Sequence, residues 1–181
     1  MSLDPQEKAR RLSGRIGPAV AELKANTKTL IISSVNTDGE PLASYSPFVI
    51  VNGYYYILIS DVAKHAANLR EVGKASVMLI EDESAARNIY VRTRLTFAVT
   101  AHEVAAESEE FNAGVKALAE RFGDIVGELS TMKDFNLFRL ETTQGVFVKG
   151  FGQAFVVSND ELVEPVHLTQ GHLFNEREAV K

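Results

Sequence analysis

The sequence predicts a mainly β protein, a small antiparallel barrel with flanking helices. Three observations lead there. Short apolar, β-branched runs recur from Thr29 to Val157. Tight-turn chemistry separates the early runs, with Asp38-Gly39 and Asn52-Gly53 the sharpest signals. Helical periodicity is confined to the N-terminus, to one short stretch after the third strand, and to residues 107–130.

Each element follows from local chemistry. Residues 4–25 read as a helix: Asp4-Pro5 supplies an N-cap and a first-turn proline, and Ala9, Leu12, Ile16, Ala19, Val20 and Leu23 recur near a 3.6-residue period. A break is expected near Pro18, which lacks an N–H. Thr29–Val35 is a first strand, Asn36-Thr37-Asp38-Gly39 a turn, and Pro41 to Ile50 a second strand. After Asn52-Gly53, Tyr54 to Ser60 makes the third. Asp61 to Val72 reads as a short helix, capped by Ser60 or Asp61 and stopped by Gly73. Lys74–Ile80 is a fourth strand, followed by an acidic loop at Glu81-Asp82-Glu83. Tyr90 to Val104 reads as a long fifth strand, with Arg92, Arg94 and Thr96 alternating against Val91, Leu95 and Phe97. Residues 107–130 are helical with a break at Gly123, and Phe135–Val148 and Gln153–Val157 complete six or seven strands. The expected organisation is an N-terminal helix over 1–25, a barrel over 26–160 and a C-terminal tail over 161–181.

Composition narrows the function classes. The net charge of −5 gives no global attraction to nucleic acid or to an anionic membrane. Cysteine is absent, which removes disulfides, a thiolate nucleophile and zinc–cysteine sites. No apolar N-terminal core of a signal peptide and no apolar run of membrane-spanning length is present, so a cytoplasmic location is expected. The motifs G-x-G-x-x-G, G-x-x-x-x-G-K-[ST], H-E-x-x-H and G-x-S-x-G are all missing.

The residues that carry chemistry each admit two readings. His172 lies beside Gly171 on the tail, where an imidazole can swing over a cavity and ligate a metal, or can simply be solvated. His167 is its rival in the same segment, and His102 falls at a solvent-facing strand position. Arg92 and Arg94 share one strand face and can grip carboxylates or phosphates, or form surface salt bridges. Lys64 and His65 stand at a helix start, where backbone N–H groups favour an anion; a plain polar helix start is the alternative. Gly145, Gly150 and Gly152 with Phe147 and Phe151 either admit a close apolar ligand or turn a barrel corner. Asp134 is a turn residue by default, or the acceptor for the second N–H of a metal-bound histidine.

Four stretches together resemble a known family: Ala43-Ser44-Tyr45-Ser46-Pro47-Phe48, Lys64-His65-Ala66-Ala67-Asn68-Leu69, Arg92-Thr93-Arg94-Leu95-Thr96-Phe97, and Phe147 to Phe155 with the Val166–His172 tail. The chain is similar to the HugZ/HutZ-type heme-utilisation family of the split-barrel, pyridoxamine-phosphate-oxidase-like superfamily. The resemblance implies an FMN-binding-like split barrel, a homodimer and a ligand site at its interface. It further implies heme as ligand, with oxidative opening of the macrocycle and release of iron. On that pattern His172 matches the iron ligand and Asp134 the carboxylate that hydrogen-bonds it from the other subunit. Arg94, with Arg92 beside it, matches a partner for the heme propionates, Lys64 adds a second cation, and His65 matches a histidine near the pocket. No motif identifies the electron donor. Two other readings stay open: an FMN oxidoreductase in which Arg92, Arg94 and Lys64 hold a phosphate, and a heme carrier without turnover. The chain also continues past His172 through Leu173-Phe174-Asn175-Glu176-Arg177-Glu178, which bears on whether the tail can close.

Overall fold

A computed structural model of the chain describes residues 4–157 and 163–165. Helix α1 (Pro5–Asn26) leads into a sheet of nine strands: β1 (Thr29–Val35), β2 (Pro41–Pro47), β3 (Val49–Val51), β4 (Tyr54–Ser60), β5 (Lys74–Ile80), β6 (Arg94–Glu103), β7 (Phe135–Gly150), β8 (Gln153–Val157) and β9 (Val163–Pro165). Helix α2 (Lys64–Glu71) links β4 to β5, and α3 (Glu109–Phe122) and α4 (Ile125–Ser130) lie between β6 and β7. Among the described residues no helix is long and apolar enough to cross a membrane.

The sheet is antiparallel throughout, in the order β2-β1-β5-β6-β7-β4-β3, with β8 beside β7 and β9 beside β8. Its two outermost strands in this order, β2 and β3, are joined through the single residue Phe48. The sheet must therefore curl until both edges meet, and the fully buried Phe48 ring plugs the seam. One edge of β7 changes partner along its length: Phe135–Leu140 pairs with β4, and Gly145–Gly150 with β8. That exchange splits the barrel.

Side-chain alternation builds the core. Leu30 and Ile32 on β1, Leu95, Phe97 and Val99 on β6, and Leu140 and Phe147 on β7 point inward with Tyr55 and Ile57 of β4. Ile16, Val20 and Leu23 of α1 pack on the same core. The N-terminal half of β7 is buried on both faces, because Leu137 and Tyr56 pack outward under Leu118 of α3 and Val126 of α4. The buried Asn68 amide donates to Ser34 Oγ at 3.0 Å and fastens α2 to β1.

Several elements depart from the sequence reading for physical reasons. Helix α1 runs through Pro18 without a break. Pro18 is exposed, whereas Ile16, Val20 and Leu23 are buried. Burying three such side chains is worth roughly 1.5–3 kcal/mol each, against about 3 kcal/mol for an interior proline, so the packed face wins. The second strand divides into β2 and β3 at Phe48, and β9 is a further short strand. Helix α2 begins at Lys64 rather than Asp61, and its N-cap residue, Ala63, makes no side-chain cap. The two residues expected to cap it are engaged elsewhere, as described below.

The fifth strand starts at Arg94, not Tyr90. Its partner β5 ends at Ile80, which faces Arg94, so residues upstream have no ladder to join. They form a 3-10 turn at Ile89–Val91 instead, with the Asn88 side chain accepting the Tyr90 N–H at 3.0 Å. Arg92 consequently does not share a strand face with Arg94. The break at Gly123 is present, with φ 89°. The turn at Asn52-Gly53 takes φ 51° and 82°, the left-handed pair that a two-residue hairpin requires.

Candidate ligand-binding site

The candidate residues gather at two places, at opposite ends of the barrel. The first is a polar corner where β4 ends and β7 begins, with Ser60 opposite Phe135. The Ser60 hydroxyl donates to Asp134 Oδ2 at 2.7 Å, and the Asp61 N–H donates to the Asp134 carbonyl at 2.7 Å. Asp61 in turn accepts from Asn136 Nδ2 at 2.9 Å and from Arg70 at 2.8 Å. Arg70 also pairs with Glu103 at the far end of β6. The Arg70 guanidinium holds the Asp61 carboxyl below the usual carboxylate range.

Helix α2 starts three residues after Asp61, so Lys64 and His65 belong to this same corner. Lys64 is exposed. His65 is half-buried, and its Nε2 is buried with no hydrogen-bond partner among the described residues. Burial pushes the His65 pKa below its ordinary value of 6.5, keeping the ring neutral.

The second place is a groove of about 760 Å³ between the end of α1, the start of β1 and the loop after β5. Lys28, Arg92 and Lys149 line it from the basic side, and Glu22, Glu81 and Asp82 from the acidic side. Arg92 is tied down there. Its Nε and Nη2 donate to the Glu81 carbonyl, and its Nη1 pairs with Glu83 at 3.0 Å. Arg94 is half-buried at the beginning of β6, and among the described residues its Nη1 donates to the Arg92 carbonyl alone, at 3.4 Å. Of the two guanidiniums, Arg94 has more donor capacity left for a ligand.

The two places are far apart within one chain. Arg94 faces Val148 and Glu103 faces Phe138 along the β6–β7 ladder. Nine strand steps separate Arg94 from Glu103, a span of about 30 Å. Asp134 lies beyond the Phe138 end. The fold therefore brings Asp134, Lys64 and His65 to one end and Arg92 and Arg94 to the other.

The remaining sequence candidates sort as follows. Phe147 and Phe155 are buried core residues and Phe151 is exposed at the turn, so the glycine-rich segment serves as a barrel corner. Gly145 is needed there, because a Cβ would stand 2.4 Å from the Phe97 ring. His102 is exposed and lies 3.5 Å from Glu141. His167 and His172 lie outside the described residues. Two contributors were missed from the sequence: Ser60, read only as a helix cap, and Lys149, passed over inside the glycine-rich stretch.

Comparison with known proteins adds the family. The model of the pyridoxamine 5′-phosphate oxidase family matches residues 16–149. The chain is 46% identical over 170 residues to a protein named heme oxygenase HutZ from Vibrio cholerae, covering 94% of this chain and 97% of that one. Among solved structures, HutZ from Vibrio cholerae, there called a heme storage protein, superposes with a TM-score of 0.71 at 39% identity, over 72% of this chain and 93% of that chain. ChuZ from Campylobacter jejuni superposes with a TM-score of 0.78 at 31% identity, over 84% of this chain; the chain spans 63% of the ChuZ length. A split barrel, a family match over most of the sequence and near-complete coverage by HutZ converge, and the chain belongs to the pyridoxamine 5′-phosphate oxidase family, in its HugZ/HutZ-type branch.

Proposed function

We propose that this chain binds heme between the subunits of a homodimer and degrades it oxidatively, releasing iron. The observation that carries the reading is the separation of the two half-sites within one barrel. The Asp134 corner and the Arg94 end of the barrel, about 30 Å apart, cannot serve one ligand in one chain. A two-fold dimer can set the corner of one subunit against the groove of its partner. The relatives named for heme supply the ligand class.

The side chains present fit heme. Arg94 offers a fork for a propionate, Lys64 a second cation, and Asp134 a carboxylate already held in place by Ser60. The orphaned Nε2 of His65 marks a spot where a partner is still wanted. Bound heme would supply dioxygen activation at its iron. The residues of the chain do the rest. His172 offers a neutral imidazole to the metal, and Asp134 of the other subunit accepts its second N–H, which makes the ligand more basic. His65, kept uncharged by burial, can donate or accept one proton at the polar corner.

The flavin alternative draws on the same groove, where Lys28, Arg92 and Lys149 are the candidates for a phosphate. Two of its features weigh against a dianion: Arg92 is spent on Glu81 and Glu83, and Glu22, Glu81 and Asp82 balance the charge.

The test is an absorbance titration of the purified apo-protein with hemin beside His172→Ala and Asp134→Asn. A sharp Soret band saturating at about one heme per chain, lost in His172→Ala and kept in Asp134→Asn, is the expected result. Ascorbate under air then bleaches the wild-type band, and more slowly that of Asp134→Asn. A band that forms but never bleaches makes the chain a heme carrier. Binding indifferent to His172, or a bound flavin spectrum instead, overturns the reading.

A further inference from the structure

We propose that Ser60 is a positioning residue for Asp134: it commits Oδ2 of the carboxylate and leaves Oδ1 as the acceptor for an incoming N–H. The inference rests on the reading of Asp134 as partner of the heme-ligating imidazole, and goes beyond it by naming what aims that carboxylate.

Ser60 Oγ donates to Asp134 Oδ2 at 2.7 Å and accepts the Val62 N–H at 3.2 Å. A serine hydroxyl has one proton and two lone pairs. A carboxylate oxygen accepts and has no proton to give, so the hydroxyl is the donor to Oδ2, while the Val62 N–H occupies one of its two lone pairs. The hydroxyl is therefore fixed in one sense.

The carboxylate is fixed from the other side by its backbone. The Asp61 N–H donates to the Asp134 carbonyl at 2.7 Å, and Asn136 Nδ2 holds Asp61 Oδ1 at 2.9 Å. Arg70 grips the same Asp61 oxygen at 2.8 Å. The Cα of Asp134 is thus pinned where β4 and β7 close, and rotation about the side-chain bonds is the freedom that remains. Ser60 removes it. Among the described residues no hydrogen bond is made to Asp134 Oδ1, and the side chain is half-buried rather than waving in solvent.

The consequence is a carboxylate whose two oxygens have separate duties. A freely rotating group would have to be ordered each time an imidazole docked, losing rotamer freedom at that moment. A group held by Ser60 has paid that ordering on folding. Ser60 touches neither heme nor the reacting atoms; it acts through Asp134.

The experiment uses Ser60→Ala and Ser60→Thr in the full-length protein, with three readouts. Three-bond couplings of the Asp134 side chain in the apo-protein report its rotamer without heme. Hemin titration reports affinity. The iron–histidine stretching band of the ferrous heme complex reports the strength of the imidazole contact. Ser60→Ala is expected to convert the Asp134 couplings from single-rotamer to averaged values and to leave hemin affinity within about two-fold. It is also expected to move the stretching band toward its position in Asp134→Asn. Ser60→Thr, which keeps the hydroxyl, restores both. Single-rotamer couplings in Ser60→Ala overturn the proposal whatever heme does. So does an unmoved band in Ser60→Ala where Asp134→Asn shifts it. An unmoved band in both variants, with averaged couplings, brings down the heme reading of Asp134 and the role of Ser60 with it.

Discussion

At the scale of single residues, the polar corner is governed by what burial does to His65. The ring is half-buried, its Nε2 has no partner among the described residues, and the charged form is disfavoured. The folded pKa therefore lies below the 6.5 expected in the unfolded chain. Between those two values the unfolded chain holds the proton and the folded chain does not. Stability is therefore full above pH 6.5 and falls as the pH drops through that window, levelling off below the folded pKa. Titration of the His65 ring by NMR in the apo-protein should give a midpoint under 6.5. A midpoint at or above 6.5 would show that burial does not disfavour the charged ring at the corner, and the stability loss on acidification would be absent. In the sequence, Lys64-His65 showed a polar helix start but not this burial, because burial is a property of the folded chain and not of the local pattern.

At the scale of elements, the pairing of β6 with β7 sets the barrel wall through one glycine. A Cβ at Gly145 would meet Phe97 Cδ1 at 2.4 Å, Cε1 at 2.5 Å and the Thr96 carbonyl oxygen at 3.0 Å. The Phe97 ring cannot step aside freely, since it is buried and packs on Tyr55 with centroids 5.9 Å apart. Gly145→Ala should destabilise the fold by roughly 1–3 kcal/mol, the usual cost of overpacking. Thermal unfolding would register this as a drop of several degrees, and Phe97→Leu in the same chain should recover part of it. An unchanged melting temperature would mean the strands can slip apart at the nearby register shift between Phe97 and Val99. The sequence signalled a close approach here through glycine-rich spacing. It could not say that the approaching group was Phe97 rather than a ligand, because both ask for the same missing Cβ.

At the scale of the whole molecule, the distance between Asp134 and Arg94 makes a quantitative demand. With about 30 Å of β-ladder between them, both residues can serve one heme only when contributed by different subunits. On the proposed reading of heme degradation at a dimer interface, mixing the Asp134→Asn and Arg94→Ala proteins, each impaired alone, under conditions that exchange subunits should regenerate activity. Half of the dimers are then mixed, and each carries one site with both residues intact, so ascorbate-driven bleaching should return to about a quarter of wild type. No gain on mixing would place the functional residues within one chain, against the separation seen along β6 and β7.

Most of the strand positions and the turns were determined by the sequence itself, because period-two burial and left-handed turn residues are local properties. Asn52-Gly53, Gly123 and the alternation of Leu95 and Phe97 against Arg94 and Thr96 were legible for that reason. Motif resemblance likewise points to the family from the sequence alone. Tertiary structure decided what depends on partners distant in the chain. Helix α1 survives Pro18 because a core built from later strands rewards its buried face. Arg92 leaves the strand face because β5 ends at Ile80 and offers it no ladder. Ser60 serves Asp134, 74 residues away, instead of capping α2. Local propensity cannot encode where a hydroxyl sends its proton, since the acceptor Asp134 comes within reach of Ser60 only after the barrel has closed.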